Sequence, residues 1–551
     1  MFRLTNKLAV SNLIKNRKLY YPFALAVLLA VTVTYLFYSL TFNPKIAEIR
    51  GGTTIQATLG FGMFVVTLAS AIIVLYANSF VMKNRSKELG IYGMLGLEKR
   101  HLISMTFKEL VVFGILTVGA GIGIGALFDK LIFAFLLKLM KLKVELVATF
   151  QMNVVIAVLV VFGLIFRMKK NAVGLATIAI LSTMVLVTMS AATSIFNSAE
   201  SFKKVLNPHD FGVSGQNVEK EDLDKLLSQF ASDKGYSVKE KEVLRYSNFG
   251  IANQEGTKLT IFEKGQNRVQ PTTVFMVFDQ KDYENMTGQK LSLSGNEVGL
   301  FAKNDGLKGQ KALTLNDHQF SVKEEFNKDF IVNHVPNKFN ILTTDYNYLV
   351  VPDLQAFLDQ FPDSAIYNQF YGGMNVNVSE EEQLKVAEEY ENYLNQFNAQ
   401  LDTEGSYVYG SNLADASSQM SALFGGVFFI GIFLSIIFMV GTVLVIYYKQ
   451  ISEGYEDRER FIILQKVGLD QKQIKQTINK QVLTVFFLPL LFAFIHLAFA
   501  YHMLSLILKV IGVLDTTMML IVTLSICAIF LIAYVLIFMI TSRSYRKIVQ
   551  M

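Results

Sequence analysis

The sequence predicts an α-helical polytopic membrane protein with eight spans, cytoplasmic N- and C-termini and one large α+β extracellular domain. Three observations predict it. The 551-residue chain is 52% hydrophobic and only 17% charged, against about 25% charged in soluble domains, and its mean hydropathy is +0.38. Eight apolar stretches lack Lys, Arg, Asp and Glu, and each is long enough to cross a hydrocarbon core of about 30 Å. A single long polar interval, 197–419, separates the fifth stretch from the sixth. This composition excludes an ordinary cytosolic enzyme, a disordered chain and a disulfide-stapled secreted scaffold. The one cysteine, Cys527, lies in an apolar run, so no disulfide or Cys-based zinc site forms within the chain.

The spans, in order, are Tyr20–Phe42, Gln56–Phe80, Leu110–Phe128, Ala148–Phe166, Ala172–Phe196, Met420–Tyr447, Val482–His502 and Thr516–Ile540. Residues 1–19 read as a cytoplasmic N-terminal amphipathic helix. The first span is too long for a cleaved signal and has no small-x-small site after it, so it reads as a retained anchor. Membrane parts then cover 20–196 and 420–551. Orientation follows from basic residues in short loops. With the N-terminus inside, the inside segments hold 24 Lys and Arg and the short outside loops hold 7.

The interval 197–419 is then extracellular and long enough to bury its own core. Leu259–Glu263 and Thr272–Phe278 read as strands. Ser379 opens a capping box with Glu382 and a helix to about Gln400. The interval holds 20 Lys and Arg against 33 Asp and Glu. An acidic domain of this kind favours cationic partners through long-range attraction, although solvation alone also demands charge.

Catalytic patterns are missing. No G-x-x-x-x-G-K-[ST] and no H-E-x-x-H occurs, and the six histidines are scattered: His101, His209, His318, His334, His496 and His502. His496 lies deep in the seventh span, near Pro489, where a polar group calls for a partner on a neighbouring helix. In the third span Gly119/Gly123 and Gly121/Gly125 form G-x-x-x-G pairs, which serve close helix packing or a sliding or oligomer contact.

The most informative feature is a repeat. Ser86–Leu102, after the second span, aligns without a gap on Arg458–Ile474, after the sixth, at an offset of 372 residues. Each reads as a short amphipathic helix, near 83–103 and near 456–476. Leu89, Tyr92 and Leu95 share one face, as do Phe461, Leu464 and Val467. Gly96 and Gly468 stand where a helix C-cap wants a left-handed residue. Two such helices can lie on an anionic leaflet or fill equivalent grooves on a symmetric partner. The chain carries no P-loop of its own, and a dimeric motor would supply one.

The run Tyr76-x-Asn78-Ser79-Phe80-x-Met82-Lys83-x-Arg85-x-Lys87-Glu88-x-Gly90-x-Tyr92-x-x-Leu95-Gly96-x-x-Lys99-Arg100-His101 resembles the first cytoplasmic loop of bacitracin-export-type (BceB/VraG-like) ABC transporter permeases, in the FtsX-like group. Arg167-Met168-Lys169-x-Asn171-Ala172-x-Gly174-Leu175-Ala176, with the run Ile180–Thr188, and Lys7-Leu8-Ala9, with Asn12, Lys15, Asn16 and Arg17, fit the same pattern.

The resemblance implies docking of two copies of a separate ABC ATPase, which binds the ATP and Mg. No cofactor is expected in this chain, no metal site, no catalytic residue and no nucleic-acid partner. The implied ATPase contacts are Glu88, Leu89, Tyr92, Leu95 and Gly96, with Arg460, Phe461, Leu464, Val467 and Gly468. The resemblance further implies a Gram-positive cell membrane and resistance to cell-wall-active antimicrobial peptides, by export or by release from a lipid target. Its implied partners are a membrane histidine kinase, a peptide antibiotic or cell-wall lipid precursor, and membrane lipids. A lipid- or lipoprotein-extracting FtsX-like permease and a non-translocating antibiotic-sensing scaffold are the rival readings. The family pattern has ten spans with the large domain after the seventh, so a two-span hairpin is missing near Phe166-Arg167.

Overall fold

The computed structural model describes residues 11–47, 52–140, 153–156, 158–159, 162, 174–216, 218–262, 273–303, 306–337, 345–362, 367–401, 406–466 and 471–549. The chain divides into two compact units. One comprises Met1–Asn197, Ser421–Leu508 and Asp515–Met551; the other comprises Ser198–Met420 and Lys509–Leu514.

Among the described residues seven helices are long and apolar enough to cross a membrane. They are α1 (Arg17–Thr41), α2 (Gly52–Met94), α3 (Lys99–Leu139), α4 (Gly174–Leu206), α10 (Leu413–Lys466), α11 (Gln471–Val510) and α12 (Thr516–Val549). The chain is thus a multi-pass membrane protein with a β-rich domain. The predicted fourth span, Ala148–Phe166, falls largely outside the described residues. Of the few described there, Val154, Val158 and Phe162 are helical, buried and four apart, as one helix face requires. The apolar windows understate the helices: α2 has 43 residues, about 64 Å at 1.5 Å per residue.

In the first unit α1 is the most enclosed of the N-terminal spans, with 67% of its window buried, whereas α11 and α12 have 17% each. Small residues explain the close approach to α1. A Cβ on Gly121 would meet Val31 Cβ at 2.8 Å and one on Gly125 would meet Tyr35 Cδ1 at 2.5 Å. Thr32 Oγ1 donates to Gly121 O at 3.0 Å across the same seam. Gly119 and Gly123 face open space, so the two G-x-x-x-G pairs do different things. Phe23 stacks on Phe113 with centroids 4.5 Å apart, and Tyr448 Oη donates to Leu19 O at 3.2 Å.

The second unit is built on one ten-stranded sheet of β1 (Phe211–Gln216), β2 (Val238–Glu255), β3 (Lys258–Ile261), β4 (Thr273–Asp279), β5 (Glu297–Ala302), β6 (Ala312–Leu315), β7 (His318–Glu325), β8 (Asp345–Val351), β9 (Tyr367–Val376) and β10 (Tyr407–Asn412). Long β2 holds it together. Its first half pairs antiparallel with β9, Tyr246–Ile251 pair with β4, and its end pairs with β3. From β3 the pairing runs through β6, β7, β5 and β8 to β4, so the strands close a ring on β2 that leaves no edge there.

Strand β4 is buried on both faces. Phe275 and Val277 join one apolar cluster, and alternate residues Met276 and Phe278 join another, as period two requires. A third cluster packs Phe211 and Val213 against α5 (Lys220–Asp233) and α9 (Ala387–Asn398). The remaining short helices are α6 (Gln280–Thr287), α7 (Leu354–Leu358) and α8 (Glu380–Lys385).

The two predicted strands are β3 and β4, while Glu263 and Thr272 lie outside the described residues. Ser379 is the predicted N-cap, its Oγ accepting from Glu382 N at 3.3 Å. The helix it opens breaks at Val386 and resumes as α9, so one predicted helix is two.

Candidate functional site

The first repeated segment is not a separate short helix, as its amphipathic pattern predicts, but the end of α2. Nothing in Lys83–Met94 breaks a helix, so α2 continues to Met94 and turns back into α3 at Lys99. The turn is a Schellman motif. Gly96, at φ +91°, donates its N–H to Gly93 O at 3.1 Å, and Leu97 N–H reaches Tyr92 O at 3.1 Å. This places Gly96 at the left-handed C′ position predicted for it.

The predicted apolar face divides. Leu89 and Tyr92 are half-buried, and Tyr92 Oη donates to Asn12 Oδ1 at 3.4 Å. Leu95 is 75% exposed and stands with Met94 and Ile91, exposed by 83% and 52%. Ile91 and Met94 are therefore tip residues that the three-residue spacing misses; the i, i+3, i+4 relation to Leu95 would have found them. Glu88 keeps partners within the chain: Asn16 Nδ2 donates to its Oε2 at 3.1 Å, and Arg85 Nε lies 3.5 Å away.

The second segment likewise falls on the end of one long helix and the start of the next: α10 is described to Lys466 and α11 from Gln471. Arg460, Phe461 and Leu464 lie on the last turns of α10; Val467 and Gly468 fall outside the described residues. The first helix pair is thus tipped by the Gly96-Leu97 pair of the repeat, and the Gly468-Leu469 pair of the second lies outside the described residues.

The second unit brings together two of the histidines that sequence spacing leaves scattered. Glu242 on β2 accepts from His334 Nδ1 at 3.0 Å and lies 3.2 Å from His209 Nε2. His209 is 1% exposed, and its Nδ1 is 3.1 Å from Tyr371 Oη. Register puts Gly373 of β9 opposite Glu242. A Cβ there would stand 2.2 Å from His209 Nδ1, so the glycine makes room for the ring.

Burial pushes the Glu242 carboxyl up, but the hydrogen bonds from His209 and His334 outweigh it and hold the carboxyl below its ordinary range. The bond to Glu242 raises His334 against the effect of burial. Glu242 and His334 also line a groove of about 740 Å³ walled by α5, β2 and α6. Among the described residues no group of His, Cys, Asp and Glu side chains is placed to hold a metal ion. His496 lies 3.4 Å from Thr183 Oγ1 of α4, the neighbouring-helix partner expected of a histidine in a span.

Residues 60–198 match the family model described as FtsX-like permease C-terminal; the first hairpin lies inside them. The bacitracin export permease protein BceB of Bacillus subtilis (strain 168) is 27% identical over 157 residues, 28% of this chain and 24% of that protein. An uncharacterized ABC transporter permease of the same organism, YvcS, is 30% identical over 141 residues, 25% of this chain and 22% of its own length. The match therefore spans about a quarter of these relatives. The ABC transporter permease protein YxdM, also from Bacillus subtilis, is 22% identical over 599 aligned positions, 90% of this chain and 93% of its own. The chain is thus similar to ABC transporter permeases of the FtsX-like, bacitracin-export type, and the first hairpin lies within the segment that the family model matches.

Proposed function

We propose that the two hairpins are coupling levers for two copies of a separate ABC ATPase, one at each tip. The supporting observation is that one chain carries the repeated segment twice, each time across the end of one long helix and the start of the next. A symmetric motor offers two equivalent grooves, and a chain with an internal repeat fills both. Exposed Ile91, Met94 and Leu95 supply the apolar anchors of the first lever; Arg460, Phe461, Leu464, Val467 and Gly468 are assigned to the second. ATP binds and is hydrolysed with Mg in the partner. Closure of that dimer brings the levers together as a rigid-body motion.

In this reading both termini are cytoplasmic and the β-rich unit is extracellular, on a Gram-positive cell membrane. The work done is removal of a cell-wall-active antimicrobial peptide, bacitracin-like or cationic, from its lipid target or from the membrane. A membrane histidine kinase receives the flux signal. The name of the bacitracin export relatives and the excess acid of residues 197–419 support this substrate class.

Replacing Leu95 and Val467 by Asp abolishes co-purification of the ATPase; undiminished recovery rejects the levers. Loss of the gene sensitises cells to peptide antibiotics, whereas a lipid- or lipoprotein-extracting permease leaves that sensitivity unchanged. Resistance that survives an ATPase-dead partner would favour a sensing scaffold over a transporter.

A further inference from the structure

Close to the first hairpin the structure buries an ion pair that docking does not use. Arg85 of α2 and Glu109 of α3 are each 1% exposed. Arg85 Nη1 donates to Glu109 Oε2 and, at 2.9 Å, to Tyr20 Oη of α1. Tyr20 Oη donates in turn to Glu109 Oε1 at 3.0 Å, and the guanidinium lies 5.9 Å from the Tyr20 ring centre. Three helices thus meet on one guanidinium, held from one side: among the described residues its Nη2 finds no acceptor.

The contacts continue toward the tip. Arg85 Nε lies 3.5 Å from Glu88, which accepts from Asn16, and one turn further Tyr92 donates to Asn12. Asn12 is itself buried, its Nδ2 4.0 Å from Met105 Sδ of α3.

A buried ion pair gains little stability, because desolvation offsets most of the attraction. What it supplies is a single geometry, since Nη1 of Arg85 keeps both its acceptors only when Tyr20 and Glu109 stand where they do. We propose that Arg85 is a positioning residue for coupling. With Glu109 and Tyr20 it locks the hairpin to α1 and α3, so that a push on the tip moves the three helices as one body. The inference rests on the docking reading only for what does the pushing.

The test uses the full chain with Cys527→Ser, in lipid nanodiscs. Spin labels go on Ile14→Cys and, on α3 clear of the docking residues, Ile103→Cys, both exposed in the native chain. Arg85→Met alone strands a buried carboxylate and can unfold the protein. The informative variant is therefore Arg85→Met/Glu109→Leu, which leaves no buried charge. It is expected to melt like the parent and yet show a label–label distance distribution at least twofold broader. An unchanged width in the folded double variant overturns the proposal.

With the ATPase and a non-hydrolysable ATP analogue added, the parent keeps its Ile14–Ile103 distance and the double variant does not. Permease-dependent ATP hydrolysis in the double variant falls about tenfold. Full hydrolysis in a double variant of restored stability would make the pair merely structural and sink the idea. If the parent recruits no ATPase, the docking reading fails, while the label widths in the permease alone still decide the role of Arg85.

Discussion

Gly96 and Gly373 lack side chains for different reasons, and substitution separates them. At Gly96 the reason is the backbone, which at φ +91° penalises an L-residue by about 1–2 kcal/mol. Gly96→Ala is expected to loosen the turn, with the Leu97 amide exchanging roughly tenfold faster by hydrogen-exchange mass spectrometry. At Gly373 the reason is space: the His209 ring occupies the place of a Cβ. Gly373→Ala is expected to cost about 1–3 kcal/mol through overpacking, read as a lower unfolding temperature. The third-span glycines give an internal control. Gly125→Ala drives a methyl into Tyr35 and lowers thermostability, whereas Gly123→Ala meets nothing within 4 Å and leaves it within about 0.5 kcal/mol of the parent.

At the scale of elements, the His209–Glu242–His334 bridge joins β2 to the segment before β1 and to the loop before β8. Its pH dependence has a definite sign. The depressed Glu242 carboxyl contributes stability that is present above its ordinary value of 4.5 and is lost as pH falls through its folded value. The raised His334 contributes stability that is complete below its ordinary value of 6.5 and fades as pH rises through its folded value. Residues 331–335 are therefore best held between those two values. Their amide protection, corrected for intrinsic exchange, is expected to decline above about pH 6.5. In a His334→Gln variant that decline should be flattened; an identical profile would show that another group is titrating. The hairpins make a related point about elements. A membrane helix with no breaker beyond its apolar window continues until a glycine turn stops it, which is why α2 runs on past its span to the turn at Gly96.

For the whole molecule, charge is divided along the chain. Residues 197–419 hold 33 acidic against 20 basic residues, although the full chain is net +6. If the acidic unit gathers cationic peptide by long-range attraction, association should weaken steeply between 50 and 500 mM salt, as the screening length falls from about 14 to 4 Å. Salt-independent binding would instead mark apolar recognition.

The sequence by itself determined the membrane class, the large polar domain, the paired segments and the glycine at the first turn. Each is written in local pattern: apolar runs, charge counts, a repeat and one left-handed position. Only the tertiary structure decided that the repeated segments continue long helices, and that Ile91 and Met94 rather than Leu89 and Tyr92 join Leu95 at the exposed tip. It alone brought Arg85, Glu109 and Tyr20, or His209, Glu242 and His334, into contact. These residues stand 24 to 92 positions from their partners, and nothing in one chain's periodicity encodes which distant polar groups share a buried site. That pairing is set by how helices and strands pack, where a desolvated charge must find its counter-group or forfeit the fold.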